Sequence, residues 1–186
     1  NKGVIKYSKQ ETISDYIHYV VTSTEEKTLV IYGMENMTET FTEGQQPWYD
    51  KKEITKVEID EDIMNIGSYA FAGMKSMKTI SLPETMQRIG EYAFKESGIE
   101  TITIPSSVQE IKEHAFKLCD KLQRIIVDVN NNYYSSDSTG VLFNKNHSLL
   151  IQYPIGNEAE TYAIPIEVET IESYAFEMNI LTSIAI

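Results

Sequence analysis

The sequence has little of what usually announces a chemistry. It has one cysteine, Cys119, so no internal disulfide can form. It has three histidines and no His, Cys or carboxylate cluster at metal-ligand spacing. No Gly-rich phosphate loop and no Ser-His-Asp arrangement is evident. No apolar run approaches the roughly 18 residues that span a bilayer. Positive charge is scarce, with 16 Lys and Arg against 28 Asp and Glu and a formal net charge of −12. That balance argues against a nucleic-acid partner, because phosphate contacts need clustered Lys and Arg. The opening Asn1-Lys2-Gly3-Val4 lacks the apolar stretch of a secretion signal, so any such signal is expected to lie outside these residues. The hydrophobic fraction of 41% is too high for a disordered chain.

What is present is a repeat. Four Ala-Phe pairs stand out: Ala70-Phe71, Ala93-Phe94, Ala115-Phe116 and Ala175-Phe176. Each has an isoleucine four positions before the Ala, at Ile66, Ile89, Ile111 and Ile171. Three positions earlier stands another apolar residue: Ile63, Met86, Val108 or Val168. Upstream lies a strand pattern, as in Ile54-x-x-Val57-x-Ile59, Met77-x-x-Ile80-x-Leu82 and Ile99-x-x-Ile102-x-Ile104. Leu122-x-x-Ile125-x-Val127 and Leu181-x-x-Ile184-x-Ile186 follow it, and Ala159-x-x-Tyr162-x-Ile164 fits more weakly. This is the L-x-x-L-x-L core of a leucine-rich repeat.

From the central strand residue to the Phe there are always 14 steps, and from the Phe to the next central residue 8 or 9. A turn absorbs one residue. A packed strand cannot, because a one-residue slip points its apolar side outward. The unit is therefore 22 or 23 residues. One unit cannot bury its apolar face alone, so identical positions are expected to stack in columns. Phe71, Phe94, Phe116 and Phe176 are expected to form one such column. The fold class that follows is a β-rich α/β solenoid, a right-handed superhelix of 22–23-residue leucine-rich repeats.

The segment Ile80-Ser81-Leu82-Pro83-x-x-Met86-x-x-Ile89-Gly90-x-Tyr92-Ala93-Phe94 resembles the BspA-like family of leucine-rich repeats. The Gly after the Ile is kept at Gly67 and Gly90 but is Lys112 and Glu172 later. The resemblance runs from about Trp48 to the end. It also covers Pro47-Trp48-Tyr49 before the first repeat, and Gly140-Val141-Leu142-Phe143-Asn144-Lys145 followed by Leu150-Ile151-Gln152-Tyr153-Pro154. It implies a secreted or surface protein of an anaerobic bacterium or parasitic protist that binds host proteins or neighbouring cells. No cofactor is expected from the residues.

Residues 1–53 do not repeat. Tyr16 to Thr22 and Thr28 to Tyr32 read as a hairpin joined by Ser23-Thr24-Glu25-Glu26-Lys27. The expected role is an N-terminal β-hairpin cap on the array of residues 54–186, with a separate ligand-binding domain as the alternative. Between Ile125 and Tyr162 there are 37 residues, which makes 128–164 a long repeat. Asp128 to Gly140 reads as a polar loop, and Val141-Leu142-Phe143 with Leu149 to Tyr153 as a hairpin. Whether Ile151 supplies a strand to the main sheet stays open. Ile184-Ala185-Ile186 is a repeat strand with no polar cap after it, so a longer array, or an oligomer or partner covering the edge at Ile186, is expected.

Asp128-x-Asn130-x-Asn132 opens like a calcium loop, but Tyr133 stands where Gly is needed and Thr139 where Glu is needed, so an Asn-rich turn is expected. His114 and Cys119 are five apart and invite a catalytic pair. Register says otherwise: His114 falls in the column of Tyr69, Tyr92 and Tyr174, and Cys119 in that of Met74 and Asn179. His18 and His147 have no partner in register. N-glycosylation sequons stand at Asn36-Met37-Thr38 and Asn146-His147-Ser148. The candidate binding surface is the outward, concave face of the main sheet. Its expected pairs are Lys56/Glu58, Thr79/Ser81, Thr101/Thr103, Arg124/Ile126 and Ser183/Ala185, since side chains alternate along a strand. The expected function is a non-catalytic surface module that presents this curved sheet to a protein ligand. A passive spacer segment and a glycan-binding module are the alternatives.

The column makes a direct prediction. Phe94→Ala is expected to cost about 3–5 kcal/mol in denaturant unfolding, and a shift no larger than that of a surface substitution would count against the stack.

Overall fold

The computed structural model of the chain describes residues 11–12, 17–22, 25–33 and 41–186. In chain order its first strands are β1 (Glu11–Thr12), β2 (Ile17–Val21), β3 (Lys27–Gly33), β4 (Ile54–Ile59), β5 (Asn65–Ile66), β6 (Thr79–Ser81), β7 (Arg88–Ile89) and β8 (Thr101–Ile104). They continue with β9 (Glu110–Ile111), β10 (Arg124–Val127), β11 (Tyr134–Ser136), β12 (Leu142–Asn144), β13 (Leu149–Gln152), β14 (Thr161–Ala163), β15 (Thr170–Ile171) and β16 (Ser183–Ala185).

The L-x-x-L-x-L segments become parallel strands that bury their central residue. Val57 pairs with Ile80 across β4 and β6, and Ile102 with Ile125 across β8 and β10. These four side chains line the core. The Glu100 amide donates to Lys78 O at 3.0 Å, which keeps β6 and β8 in step. A second, shorter row runs along the opposite side of each coil. Ile66, Ile89 and Ile111 face one another in β5, β7 and β9. At the start, β2 and β3 form the expected antiparallel hairpin, with Ser23 and Thr24 of its connection outside the described residues. β3 then lies parallel to β4, with Leu29 opposite Val57 and Ile31 opposite Ile59, so the hairpin prolongs the main sheet.

The helical part of the expected α/β class is not found: none of the described residues is helical. The chain after the second strand is a run of turns, and the reason is backbone conformation. Tyr69, Tyr92, His114 and Tyr174, two residues before each Phe, have φ between 54° and 66°. Two residues after each Phe, Gly73, Glu96, Leu118 and Met178 are also left-handed, with φ between 55° and 74°. A right-handed helix requires φ near −63° throughout, so two left-handed residues four apart forbid it. At Gly73 a side chain is also excluded by contact, since a Cβ would fall 2.6 Å from the Tyr49 ring. Gly98 is needed in its short turn for a similar reason, because a Cβ there would lie 2.1 Å from Lys75 O.

The Phe column exists and is longer at one end than the sequence indicates. Trp48, Phe71, Phe94 and Phe116 stack with ring centroids 5.8, 5.6 and 5.6 Å apart. Beside the rings runs a backbone ladder: Phe71 N donates to Ala93 O at 2.7 Å and Phe94 N to Ala115 O at 2.8 Å. Trp48 joins that ladder through its indole Nε1, which donates to Ala70 O at 2.7 Å. Phe176, in contrast, does not stack on Phe116. Its neighbour is Tyr153, 5.3 Å away, whose amide donates to Ala175 O at 2.8 Å. Tyr153 thus holds the Phe place in the long repeat. Leu150 holds the Ile place, opposite Ile171.

The long repeat is therefore altered at two points. From Ile125 to Leu150 there are 25 steps, where Val57 to Ile66 takes 9. From Leu150 to Tyr153 there are 3, where Ile89 to Phe94 takes 5. The insertion adds β11 and β12, which pair antiparallel with each other, and β12 pairs with β13. Ile151 lies on β13, which continues the second row through β15 rather than the main sheet. The stretch 128–140 is no plain loop, since β11 lies within it. Its pin is Asn131, fully buried. Asn131 Nδ2 donates to Pro105 O and Val108 O, both at 2.9 Å, and its Oδ1 accepts from the amides of Tyr133 and Tyr134, both at 2.8 Å. Asp137 ties the far end: Oδ1 accepts from Thr139 N and Val141 N, and Oδ2 from Tyr162 Oη at 2.6 Å. Burial, with that carboxylate beside it, pushes the Tyr162 phenol well above its ordinary range.

Asn131→Ala leaves two amides and two carbonyls without their partner. We expect a loss of about 2–4 kcal/mol, since each orphaned buried group costs about 1–3 kcal/mol before relaxation. Hydrogen exchange should show the amides of 129–137 losing protection before those of β4 and β6.

Candidate binding surfaces

Eight expected site residues come together on the outward face of four strands. Lys56 lies opposite Thr79, Glu58 opposite Ser81, Thr101 opposite Arg124, and Thr103 opposite Ile126. All are exposed or half-buried. The middle of this patch carries only hydroxyls. At one edge Lys56 Nζ meets Glu58 Oε1 at 2.7 Å, and this bond holds the lysine above its usual pKa. At the other edge Ile126 is 41% exposed beside Arg124. The Arg124 guanidinium is engaged, because Nη2 donates to Ser138 O at 2.9 Å. The backbone of Gly140 also runs against Arg124, and its carbonyl accepts from Ile125 N at 3.0 Å. The inserted segment therefore walls the patch. Ser183 and Ala185 lie beyond it on β16, beside β14.

A second concavity was not expected from the sequence. A cleft of about 310 Å³ opens between the turns of the third repeat and those of the last. His114 and Lys117 stand on one wall, Tyr174 and Glu177 on the other, and Ile151 and Gln152 on the floor. The cause is the two-residue shortening between Leu150 and Tyr153. That shortening removes the left-handed turn which fills this level in the other repeats.

The other candidates resolve into structure. His114 stacks on Tyr92 (5.1 Å), with Tyr174 tilted against its other side (5.4 Å), in the column its register assigns. Cys119 is buried with Met74, and its Sγ donates to Phe94 O at 2.9 Å. Ser97 is the member of this column that the sequence reading omitted; its Oγ lies 3.6 Å from Cys119 Sγ. His114 and Cys119 thus point to different environments. His147 lies flat on Phe143 at 4.6 Å. Asp128 closes an Asx turn, with Oδ1 accepting from Asn130 N at 2.8 Å. Asn146 is exposed in the β12–β13 turn, whereas the Asn36 sequon lies outside the described residues. No helix among the described residues is long and apolar enough to cross a membrane.

Comparison with known proteins agrees with this geometry. Residues 44–149 match six copies of the BspA type leucine rich repeat region. The chain belongs to that family. No catalytic family is indicated, and no curated relative matches. Among solved structures, this BspA-type chain is similar to a leucine-rich repeat protein from Eubacterium ventriosum, at 26% identity and a TM-score of 0.62 over 96% of this chain and 59% of that one. The pneumococcal vaccine antigen PcpA shares the fold at 18% identity and TM-score 0.64, over 96% and 64% of the two chains. A leucine rich cell surface protein from Faecalibacterium prausnitzii does so at 16% and 0.59, over 97% and 73%. The chain thus spans about three fifths of the length of the first two.

Burial pushes the Cys119 thiol up to about 12. Below that pH the thiolate, which is the reactive form, is scarce in the folded protein. Iodoacetamide at pH 8 should alkylate native protein only as fast as it unfolds, and urea-unfolded protein at the rate of an ordinary thiol. Equal rates in the two states would contradict this burial.

Proposed function

We propose that this chain is a non-catalytic binding module of a secreted or cell-surface protein, and that it presents the outward face of its main sheet to a protein ligand. The observation that carries the reading is the continuous patch from Lys56 through Thr79 and Thr101 to Arg124. Its centre is flat, small and uncharged, and an extended partner can approach it without stripping water from unpaired charges. Its rim offers Arg124 and the exposed Ile126, residue types that suit an anchor point. The surface location is supported by the family and by the description of the Faecalibacterium relative as a cell surface protein. The same reading takes the coil as a right-handed superhelix of 22–23-residue repeats over residues 54–186, with residues 1–53 as its cap. The parallel registers Val57–Ile80 and Ile66–Ile89–Ile111 support it.

The test is adhesion or pull-down with host matrix and cell-surface proteins. Thr79→Lys and Thr101→Lys together should weaken capture by about tenfold or more, since bulky charges in the centre of an interface cost at least about 1.4 kcal/mol, which is one decade of affinity. Unchanged capture by folded variants would overturn the reading and favour a passive spacer.

A further inference from the structure

We propose that the cleft between the third and last repeats is a second binding site, which takes an arginine side chain from a basic polypeptide segment. The proposal rests on the reading of the chain as a protein-binding module, but not on the sheet face. Its first support is shape. The cleft is a notch of about 310 Å³ left by the shortened turn, of a size to admit one or two side chains rather than a large ligand. Its walls are held by the left-handed turns at His114 and Tyr174, and His114 stacks on Tyr92 at 5.1 Å.

The second support is the chemistry of the lining. Tyr133 is 50% exposed and Tyr174 57% exposed, and both border the notch. The Tyr133 ring offers a face on which a guanidinium stacks, since it is planar and weakly hydrated. Lys117 Nζ lies 4.3 Å from the Tyr174 ring centre, so that face already carries a cation and the incoming guanidinium is assigned to the Tyr133 ring. Ile111, Ile151 and Ile155 offer apolar surface to the aliphatic stem of an incoming side chain.

The third support is charge. Glu113, Glu172 and Glu177 border the cleft, and none has an ion-pair partner among the described residues. Of the two lysines there, Lys112 is engaged by Glu110 at 2.5 Å, which leaves Lys117 against three carboxylates. The whole chain adds to this with a net charge of −12. An anionic ligand is disfavoured, and a neutral sugar can donate hydroxyl hydrogen bonds to the carboxylates but gains no charge attraction from them. A guanidinium matches them in planar, two-point fashion.

The experiment is an NMR or calorimetric titration of the full chain with a capped Gly-Gly-Arg-Gly-Gly peptide, its citrulline counterpart and maltotriose. The arginine peptide should bind saturably, with Kd on the order of 1 mM, and several-fold more weakly in about 0.5 M NaCl. Citrulline keeps the shape and loses the charge, so its peptide should bind about tenfold more weakly or not at all. E172Q/E177Q and, separately, Tyr133→Ala should each weaken the arginine peptide by about fivefold or more, whereas the remote Glu84→Gln should not. Equal binding of the citrulline peptide, saturation by maltotriose instead, or equal weakening by Glu84→Gln would each overturn the proposal. Thr79→Lys with Thr101→Lys serves as the independent control. If it abolishes capture of a protein ligand but leaves peptide binding intact, the two sites are separate, and failure of one is readable without the other.

Discussion

The rings of Trp48, Phe71, Phe94 and Phe116 lie 5.6–5.8 Å apart, and the strands of the same coils must rise with them. Strands in a sheet sit about 4.7–4.9 Å apart, somewhat less than the ring centres, so the two sides of a coil rise nearly but not fully in step. Every coil therefore has to return to the same position. Four coils do so in the same 14 steps from central strand residue to Phe, and the long repeat does so in 28, from Ile125 to Tyr153. The hydroxyl face, the left-handed turns and the ladder of Phe amides on Ala carbonyls all depend on that fixed return. Trp48 shows how general the demand is. Its indole N–H supplies the ladder bond that a Phe amide gives elsewhere, so the coil of Phe71 meets a surface of its own kind.

Much of this was legible in the residues. Constant spacing fixed the strand register, the Phe stack of three repeats, and the place of His114 among tyrosines and of Cys119 beside Met74. The hairpins before the array and within its long repeat were legible from β-rich runs around polar turns. The absence of helix was not. It depends on left-handed backbone at Glu96, Leu118 and Met178, residue types that carry no such signal and that often stand in helices. Nothing distinguishes the buried Asn131 from Asn130 or Asn132 by type either. Only the carbonyls of Pro105 and Val108, two strands away in the chain, select it. Phe176 misled for the same reason in reverse: its motif is intact, but its neighbour is set by Tyr153, which the Ala-Phe pattern cannot find.

The long repeat shows how a solenoid accommodates change. Residues were gained on the path between the main sheet and the second row, where they form β11 and β12 and bury their polar backbone through Asn131 and Asp137. Residues were lost on the path between the second row and the ring. The ring itself and the row of isoleucines were kept, as Tyr153 and Leu150. The stack thus tolerates both insertion and deletion, provided that neither touches the two contacts each coil makes with its neighbours. The apolar core nonetheless divides there, into a larger cluster that ends at Phe116 and Leu142 and a smaller one around Phe143, Tyr153 and Tyr162.

The two changes have opposite effects on the surface. The gained residues bring Ser138 and Gly140 against Arg124, so the main-sheet patch acquires a wall and its arginine a fixed direction. The lost residues open a notch on the turn side, where the column of Tyr69, Tyr92 and His114 would otherwise continue without a gap. Tyr174 leans back across that gap, tilted by 54° to His114 where the earlier rings lie within 14–19° of one another. A uniform array would present the same shallow relief at every level. In this chain a single irregular repeat creates both features that differ from that relief. It follows that specificity, if it resides in this segment, resides near the irregular repeat, where Arg124, Ile126, Tyr133 and Tyr174 lie, and not in the regular coils that make the fold stable.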